Sequence, residues 1–196
     1  MATKHALEDS VRAKYAELAL HPDAPRSFAT GPESAKLLGY PPAWIDVLPT
    51  AAVESFAGVG HPLAIEEPGP GETVLDLGCG AGLDVLFASR CVGPGGFVVG
   101  VDFSGPMLVK ARRAAAEAGV SNVRFVQACV DALPFGSAVF DRVVSNGVLN
   151  LCVDKAATLR EAFRTLRPGG RFQMTDILLE EVAEPHAVAD VGAWSA

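Results

Sequence analysis

Gly78, Gly80 and Gly82 stand within five residues of one another, with Asp76 before them and Asp84 after them, in the stretch VLDLGCGAGLD over residues 74–84. Glycines so spaced let backbone lie directly against a bound molecule. Two cofactor classes compete for such a turn. A dinucleotide needs G-x-G-x-x-G and rests its pyrophosphate on the amides that open the next helix. Here the third dinucleotide glycine would fall at Leu83, and Asp84 puts a carboxylate in the first helical turn. That charge suits the helix dipole but repels a pyrophosphate arriving at the same amides. The turn therefore fits a cofactor without phosphates.

S-adenosylmethionine, with its adenosine, sulfonium and amino-acid tail, is a ligand of that description. Glycine at 78, 80 and 82 clears room for the tail beside Cys79, and Asp76 can accept from its ammonium group or brace the loop. A ribose-binding carboxylate is expected at the end of the second strand. Asp102, closing FVVGVD, stands 20 residues after Gly82.

The elements that must position these residues follow from the apolar patterning. Residues 6–19 suit an amphipathic helix, 21–34 form a Pro/Gly/Ser-rich break, and 41–62 read as short helices closing on a glycine loop. Strands are expected over 73–78, 95–103, 122–129, 140–148 and 171–178. Helices are expected over 82–92, 104–119 and 154–170, with Ser104 and Asp154 as N-caps and Gly119 as the C-terminal glycine. Alternating strands and helices predict an α/β fold: a doubly wound, mostly parallel Rossmann-like sheet (67–196) under an N-terminal helical cap (1–66).

Composition removes several function classes. The chain has 49% apolar and 20% charged residues and a net charge of −7 with no basic run, which argues against nucleic-acid binding. No stretch approaches the roughly 18 uncharged residues of a membrane span. The first 20 residues carry charges throughout, unlike a signal peptide, so a cytoplasmic protein is expected. Cys79, Cys91, Cys129 and Cys152 form no CxxC pair and match no zinc spacing; they read as reduced thiols, with no metal site.

Taken together, VLDLGCGAG, GVDFSGPML, DALPFGSAVFDRVVSNGVLNL and LRPGGRF resemble the motifs of class I S-adenosylmethionine-dependent methyltransferases, over about residues 72–178. The resemblance implies a seven-stranded sheet and methyl transfer to a nucleophile. It implies that Phe103 or Met107 packs on the adenine. The acidic residue that many relatives direct at the adenine amino group is Cys129 here, so Asp131 or the backbone at Val130 supplies that contact. Ser145, at the end of strand four, joins the expected cofactor set.

The stretches GLDVLFASRCVGPGGFVVGVD and SNGVLNLCVDKAATLREAFRTLRPGGRF are most similar to the arsenite methyltransferase branch, which binds trivalent arsenic through cysteine thiolates. At two of that branch's cysteine positions this chain has Val59 and Gly147. The leading expectation is a methyltransferase for a small-molecule acceptor. Arsenite methylation and a cofactor-binding but catalytically idle homologue are the alternatives. If the acceptor must lose a proton, His61, Asn146 and Asn150 are the candidates to assist, with Tyr15 and Tyr40 in the cap. The sequence stops about 20 residues after strand five. A shortened sheet is expected from this, its edge covered by residues 178–196 or by a second copy in a homodimer.

Overall fold

The computed structural model describes residues 4–178. The cap comprises α1 (Lys4–Leu20), α2 (Gly31–Leu37), α3 (Pro42–Ile45) and α4 (Thr50–Val53). It is followed by β1 (Thr73–Leu77), α5 (Leu83–Val92), β2 (Phe97–Asp102), α6 (Gly105–Glu117), β3 (Val123–Gln127), β4 (Phe140–Asn146), α7 (Lys155–Thr165) and β5 (Leu166–Thr175). The five strands pair in the order β3-β2-β1-β4-β5, all parallel. Strand order reverses between β1 and β4, and a sheet of this kind opens a crevice at that point, beyond the carboxyl ends of its strands.

Period-two alternation buries both faces of the sheet. Val74 of β1 packs in one cluster with Val85, Leu108 and Val144. Leu75 and Leu77 pack in the other with Val143, Phe140 and Ala162. The cap residues Tyr40, Ile45, Leu48 and Phe56 belong to the first cluster, so cap and sheet share one core.

Local signals act at the expected helix ends, with one exception. Asp154 accepts from the Ala157 amide at 2.8 Å. Gly119 takes a positive φ of 66°, and the amides of Gly119 and Val120 close back onto Ala116 and Ala115, a Schellman cap. Ser104 occupies the N-cap of α6, but its hydroxyl makes no capping bond and is buried without a partner. The Asp102 carboxylate instead accepts the Ser104 amide, at 2.8 Å.

Boundaries shift in three places. α2 begins at Gly31, inside the expected break. β4 ends at Asn146, two residues early, because Gly147 turns away with a φ of 69°. α7 stops at Thr165, and the expected helix tail Leu166–Gly170 opens β5 as a bulge. Leu166 pairs with Phe140, and Arg171 already pairs with Arg142. A strand tolerates Pro168 there because the ladder is interrupted. Coverage of the sheet edge by residues 178–196 falls outside the described residues, apart from Leu178.

The amino ends of the strands are tied by Arg142 of β4, which is only 2% exposed. Its guanidinium donates to both Glu72 carboxylate oxygens, at 2.9 and 3.1 Å, and to Gln173 of β5. Gln173 in turn donates to the Glu66 carbonyl at 3.1 Å. The segment leading into β1 is thereby pinned under the sheet. Arg142→Ala removes the donor of Glu72, which keeps partial access to water, and the donor of buried Gln173. It is expected to lower unfolding free energy by about 1–3 kcal/mol in urea titrations, and a loss within error of zero would refute this role.

Candidate active site

The glycine turn after β1 is built from left-handed backbone. Gly78, Gly80 and Gly82 have φ of 68°, 52° and 91°, a region that L side chains rarely enter. They differ in what surrounds them. A Cβ at Gly78 would lie 2.4 Å from Val148 Cγ2, whereas one at Gly80 would meet nothing within 4 Å. At Gly82 it would press on Ala111 at 3.2 Å and on Phe125 at 3.4 Å. Gly82 thus serves the packing of α6 and β3 and does not line the cleft, unlike Gly78 and Gly80.

Three carboxyl groups are buried around this turn: Asp76 is 3% exposed, Asp84 6% and Asp102 6%. Each is handled differently. Asp102 accepts the Gly80 amide on Oδ2 and the Ser104 amide on Oδ1, both at 2.8 Å. It therefore braces the loop, a task the sequence reading offered to Asp76. Burial raises its pKa to about 6 against the pull of these amides. Asp84 accepts the Tyr40 hydroxyl at 2.5 Å and the Asn146 amide at 3.1 Å. Burial raises its pKa too, and the two donors oppose that. Asp76 Oδ2 is buried with no hydrogen-bond partner. Burial first, then Asp84 and Asp102, push its pKa well above the usual carboxylate range.

Asp76, Asp84 and Asp102 face one cleft of about 1110 Å³, counting its open mouth. Cys79, Phe103, Met107, Val130 and Asp131 also line it. Cys79 is buried, and burial raises its thiol pKa well above normal. Met107 is 1% exposed. The helix α1 closes one side with Tyr15, whose pKa is pushed up to about 12 by burial and by the nearby Asp102 and Asp176. The Arg12 guanidinium sits 5.4 Å from the Phe103 ring centre.

Other candidates are placed elsewhere. Ser145 is buried within β4, paired in register with Leu77 and Met174, and does not line the cleft. Asn150 is also outside the lining; its amide N–H donates to Asp176 at 3.1 Å, and its side-chain oxygen is buried without a partner. His61 stacks on Tyr40 with ring centres 3.9 Å apart and meets Phe87 edge-on at 5.0 Å. Its ring nitrogens make no well-formed hydrogen bond among the described residues, and burial lowers its pKa against the opposing pull of Asp84 and the Gly39 backbone. That geometry makes it an aromatic wedge behind the cleft wall, in place of the base considered above. Asn146 lines the cleft, but both ends of its amide are engaged by protein groups. Val59 and Gly147 are neighbours: a Cβ at Gly147 would lie 3.2 Å from Val59 Cγ1.

Two functional contacts escape sequence reading. Tyr40 and Asp84 are 44 residues apart, and no local pattern links them. Asp176 accepts the Leu149 and Asn150 amides and so shapes the turn after β4. An acidic residue at the carboxyl end of β5 was the signal for it.

Residues 68–194 match the methyltransferase domain family. The chain belongs to that family. This methyltransferase domain is 42% identical over 121 residues to an arsenite methyltransferase of Halobacterium salinarum, covering 62% of this chain and 31% of that protein. It is 42% identical over 101 residues to a demethylmenaquinone methyltransferase of Lactococcus lactis, covering 52% of this chain and 40% of that protein. The crystal structure of an arsenic(III) S-adenosylmethionine methyltransferase from Chlamydomonas reinhardtii superposes with a TM-score of 0.69 at 35% identity, over 75% of this chain and 52% of that one. The chain thus spans less than half the length of these two curated relatives.

The two cleft-lining glycines make a graded prediction. Left-handed backbone costs an alanine about 1–2 kcal/mol. Gly80→Ala should cost about that, and Gly78→Ala, which adds a clash with Val148, should cost more in the same thermal denaturation series. Equal losses would show that Val148 does not crowd Gly78.

Proposed function

We propose that this domain binds S-adenosylmethionine in the β1–β4 cleft and transfers its methyl group to a small-molecule acceptor. The observation that carries the reading is the buried Asp76 carboxylate oxygen with no donor, beside glycine backbone in a cleft lined by two further carboxyls. Such an oxygen is costly to leave unpaired and fits a cationic ammonium group. The family match supports the same cofactor.

When bound, the cofactor supplies an activated methyl group. This chain's residues hold and orient. Asp76 accepts from the ammonium group. Asp102 keeps lone pairs for the ribose hydroxyls while the Gly80 and Ser104 amides fix its plane. Phe103 and Met107 offer apolar surface to the adenine, and Val130 and Asp131 lie on the cleft wall with them. Tyr15 and the cap shield the cleft from water, which strengthens every charge contact inside it. The carboxyls oppose a pyrophosphate, so a nicotinamide dinucleotide is a poor fit.

Arsenite is the substrate named for two of the similar proteins. At the two positions where the resemblance places that branch's cysteines this chain has Val59 and Gly147, neighbours with no thiol between them, so we do not extend arsenite to it. All four cysteines are unpaired, which supports a reducing, cytoplasmic setting.

S-adenosylmethionine and S-adenosylhomocysteine should each raise the melting temperature, and NAD and arsenite should not, since only ligands of the native state stabilise it. Absence of a shift with both methionine derivatives would overturn the reading.

The effect has a defined pH dependence. Asp102 titrates near 6, above its unfolded value, so in the ligand-free protein its contribution favours folding below about pH 4 and is lost as pH rises through 6. Ribose hydroxyls that donate to Asp102 favour its ionised form and so offset that penalty. The ligand-induced shift should therefore be larger at pH 7.5 than at pH 5. Asp102→Asn should cut affinity at pH 7.5 by about tenfold or more, the scale of one charged hydrogen bond. Equal shifts at both pH values would contradict the role given to Asp102.

A further inference from the structure

The cleft wall beside Gly78 is a loop, residues 57–60, that joins the cap to the sheet. Ala57 and Gly58 line the cleft directly. The loop lies flat on the strand ends because Gly58 and Gly60 have no side chains to hold it off. A Cβ at Gly58 would fall 2.5 Å from Asn146 Nδ2, and one at Gly60 2.7 Å from Thr175 Cγ2. A single amide sits beneath this loop. Asn146 Oδ1 accepts from the Val59 amide at 2.9 Å, the Gly60 amide at 3.2 Å and the Thr175 hydroxyl at 2.9 Å. Its Nδ2 donates to the Gly60 carbonyl at 2.9 Å, with Tyr40 Oη and Asp84 Oδ2 each at 3.1 Å.

Three donors at one end and three acceptors at the other fix which way the amide points. They also exhaust it: two N–H hydrogens are shared among three acceptors. An amide so engaged has nothing left to offer a substrate, so Asn146 is no catalytic residue. It joins three separate parts of the site instead: the cap through Tyr40, the start of α5 through Asp84, and the loop through Val59 and Gly60.

We infer that Asn146 is the positioning residue of the cleft wall: its amide fixes the 58–60 loop on the ends of β4 and β5 and holds the Asp84 carboxylate in place beside the cofactor cleft. The inference rests on the methyltransferase reading for its consequence on ligand binding, and on geometry alone for the placement of the loop. An aspartate of the same shape would still accept from the Val59 and Gly60 amides. It would lose both donations and face Asp84 as a like charge. The titratable groups facing this position are Asp84 from α5, Asp76 from β1, and Tyr40 and His61 from the cap. Two carboxyls this close share a proton at low pH, so one donation returns.

The test compares the full chain with Asn146→Asp and Asn146→Ala at pH 8 and pH 5.5. Amide hydrogen exchange is read at Val59 and Gly60 after correction for intrinsic rates, and S-adenosylhomocysteine affinity is read by calorimetry. At pH 8 both variants should lose about tenfold or more in affinity relative to the unaltered protein at that pH; Asn146→Ala should lose about tenfold or more in protection too, whereas Asn146→Asp, which still accepts from both amides, should lose clearly less. At pH 5.5 Asn146→Asp should regain at least fivefold of the affinity ratio, and Asn146→Ala should regain neither. A general loss of stability would lower both variants alike at both pH values, and that result overturns the inference. So does unchanged protection at Val59 and Gly60 in Asn146→Ala. If Asn146→Ala fails to fold, the pH response of Asn146→Asp decides alone. If the unaltered protein does not bind S-adenosylhomocysteine, the cofactor reading fails, and the exchange data still decide the placement of the loop.

Discussion

Three carboxyl groups share one poorly solvated crevice, and the rest of this site is arranged around that cost. Asp76, Asp84 and Asp102 stand close enough that the charges on Asp84 and Asp102 raise the pKa of Asp76. Burying an ionised carboxylate without compensation costs far more than a domain's net stability can absorb. Each group therefore needs donors or must stay protonated. Asp102 is served by two backbone amides from the glycine turn and the α6 entry. Asp84 is served by Tyr40 and Asn146. Asp76 is left with an oxygen that nothing among the described residues satisfies. An ammonium group donating to Asp76 and hydroxyls donating to Asp102 would relieve that cost, so a ligand carrying both gains binding energy here.

The same constraint explains the relation between cap and sheet. A helical cap could cover the crevice by apolar contact alone, and Tyr40 does pack against Phe56 and His61. Its hydroxyl, however, ends on a carboxylate that belongs to the first turn of α5. Placing Tyr40 correctly requires the 58–61 segment to lie flat, hence the glycines and the amide beneath it. At the opposite end of the sheet, the Arg142, Glu72 and Gln173 contacts hold the same entering segment. The loop between cap and β1 is thus fixed from both ends of β4, and the cleft wall inherits that rigidity.

How much of this was legible in the sequence depends on the range of the interaction. The strand–helix alternation, the glycine turn and the Asp154 and Gly119 caps are local, and apart from the junction of α7 and β5 the sheet and its helices formed within about two residues of expectation. Asp102 was legible because the offset from a glycine turn to the end of the second strand is set by one helix and one turn. The pairings of Asp84 with Tyr40 and of Asn146 with the 58–60 loop span 44 and over 80 residues, and only the folded chain brings them together. His61 stood out by its pKa range, yet stacking behind the wall removes it from the cleft. Gly82 belonged to the motif by spacing but serves packing. β5 began early because its Pro-Gly-Gly segment is accommodated as a bulge, where a helix stop had been expected.

The most direct measurement of the central claim is a crystal structure of this chain with S-adenosylhomocysteine. The account predicts the ligand's amino group within hydrogen-bonding distance of Asp76 Oδ2 and its ribose hydroxyls on Asp102, with the Gly80 and Ser104 amide contacts retained. A ligand bound elsewhere, or bound in the cleft with Asp76 Oδ2 still unpaired, would contradict it.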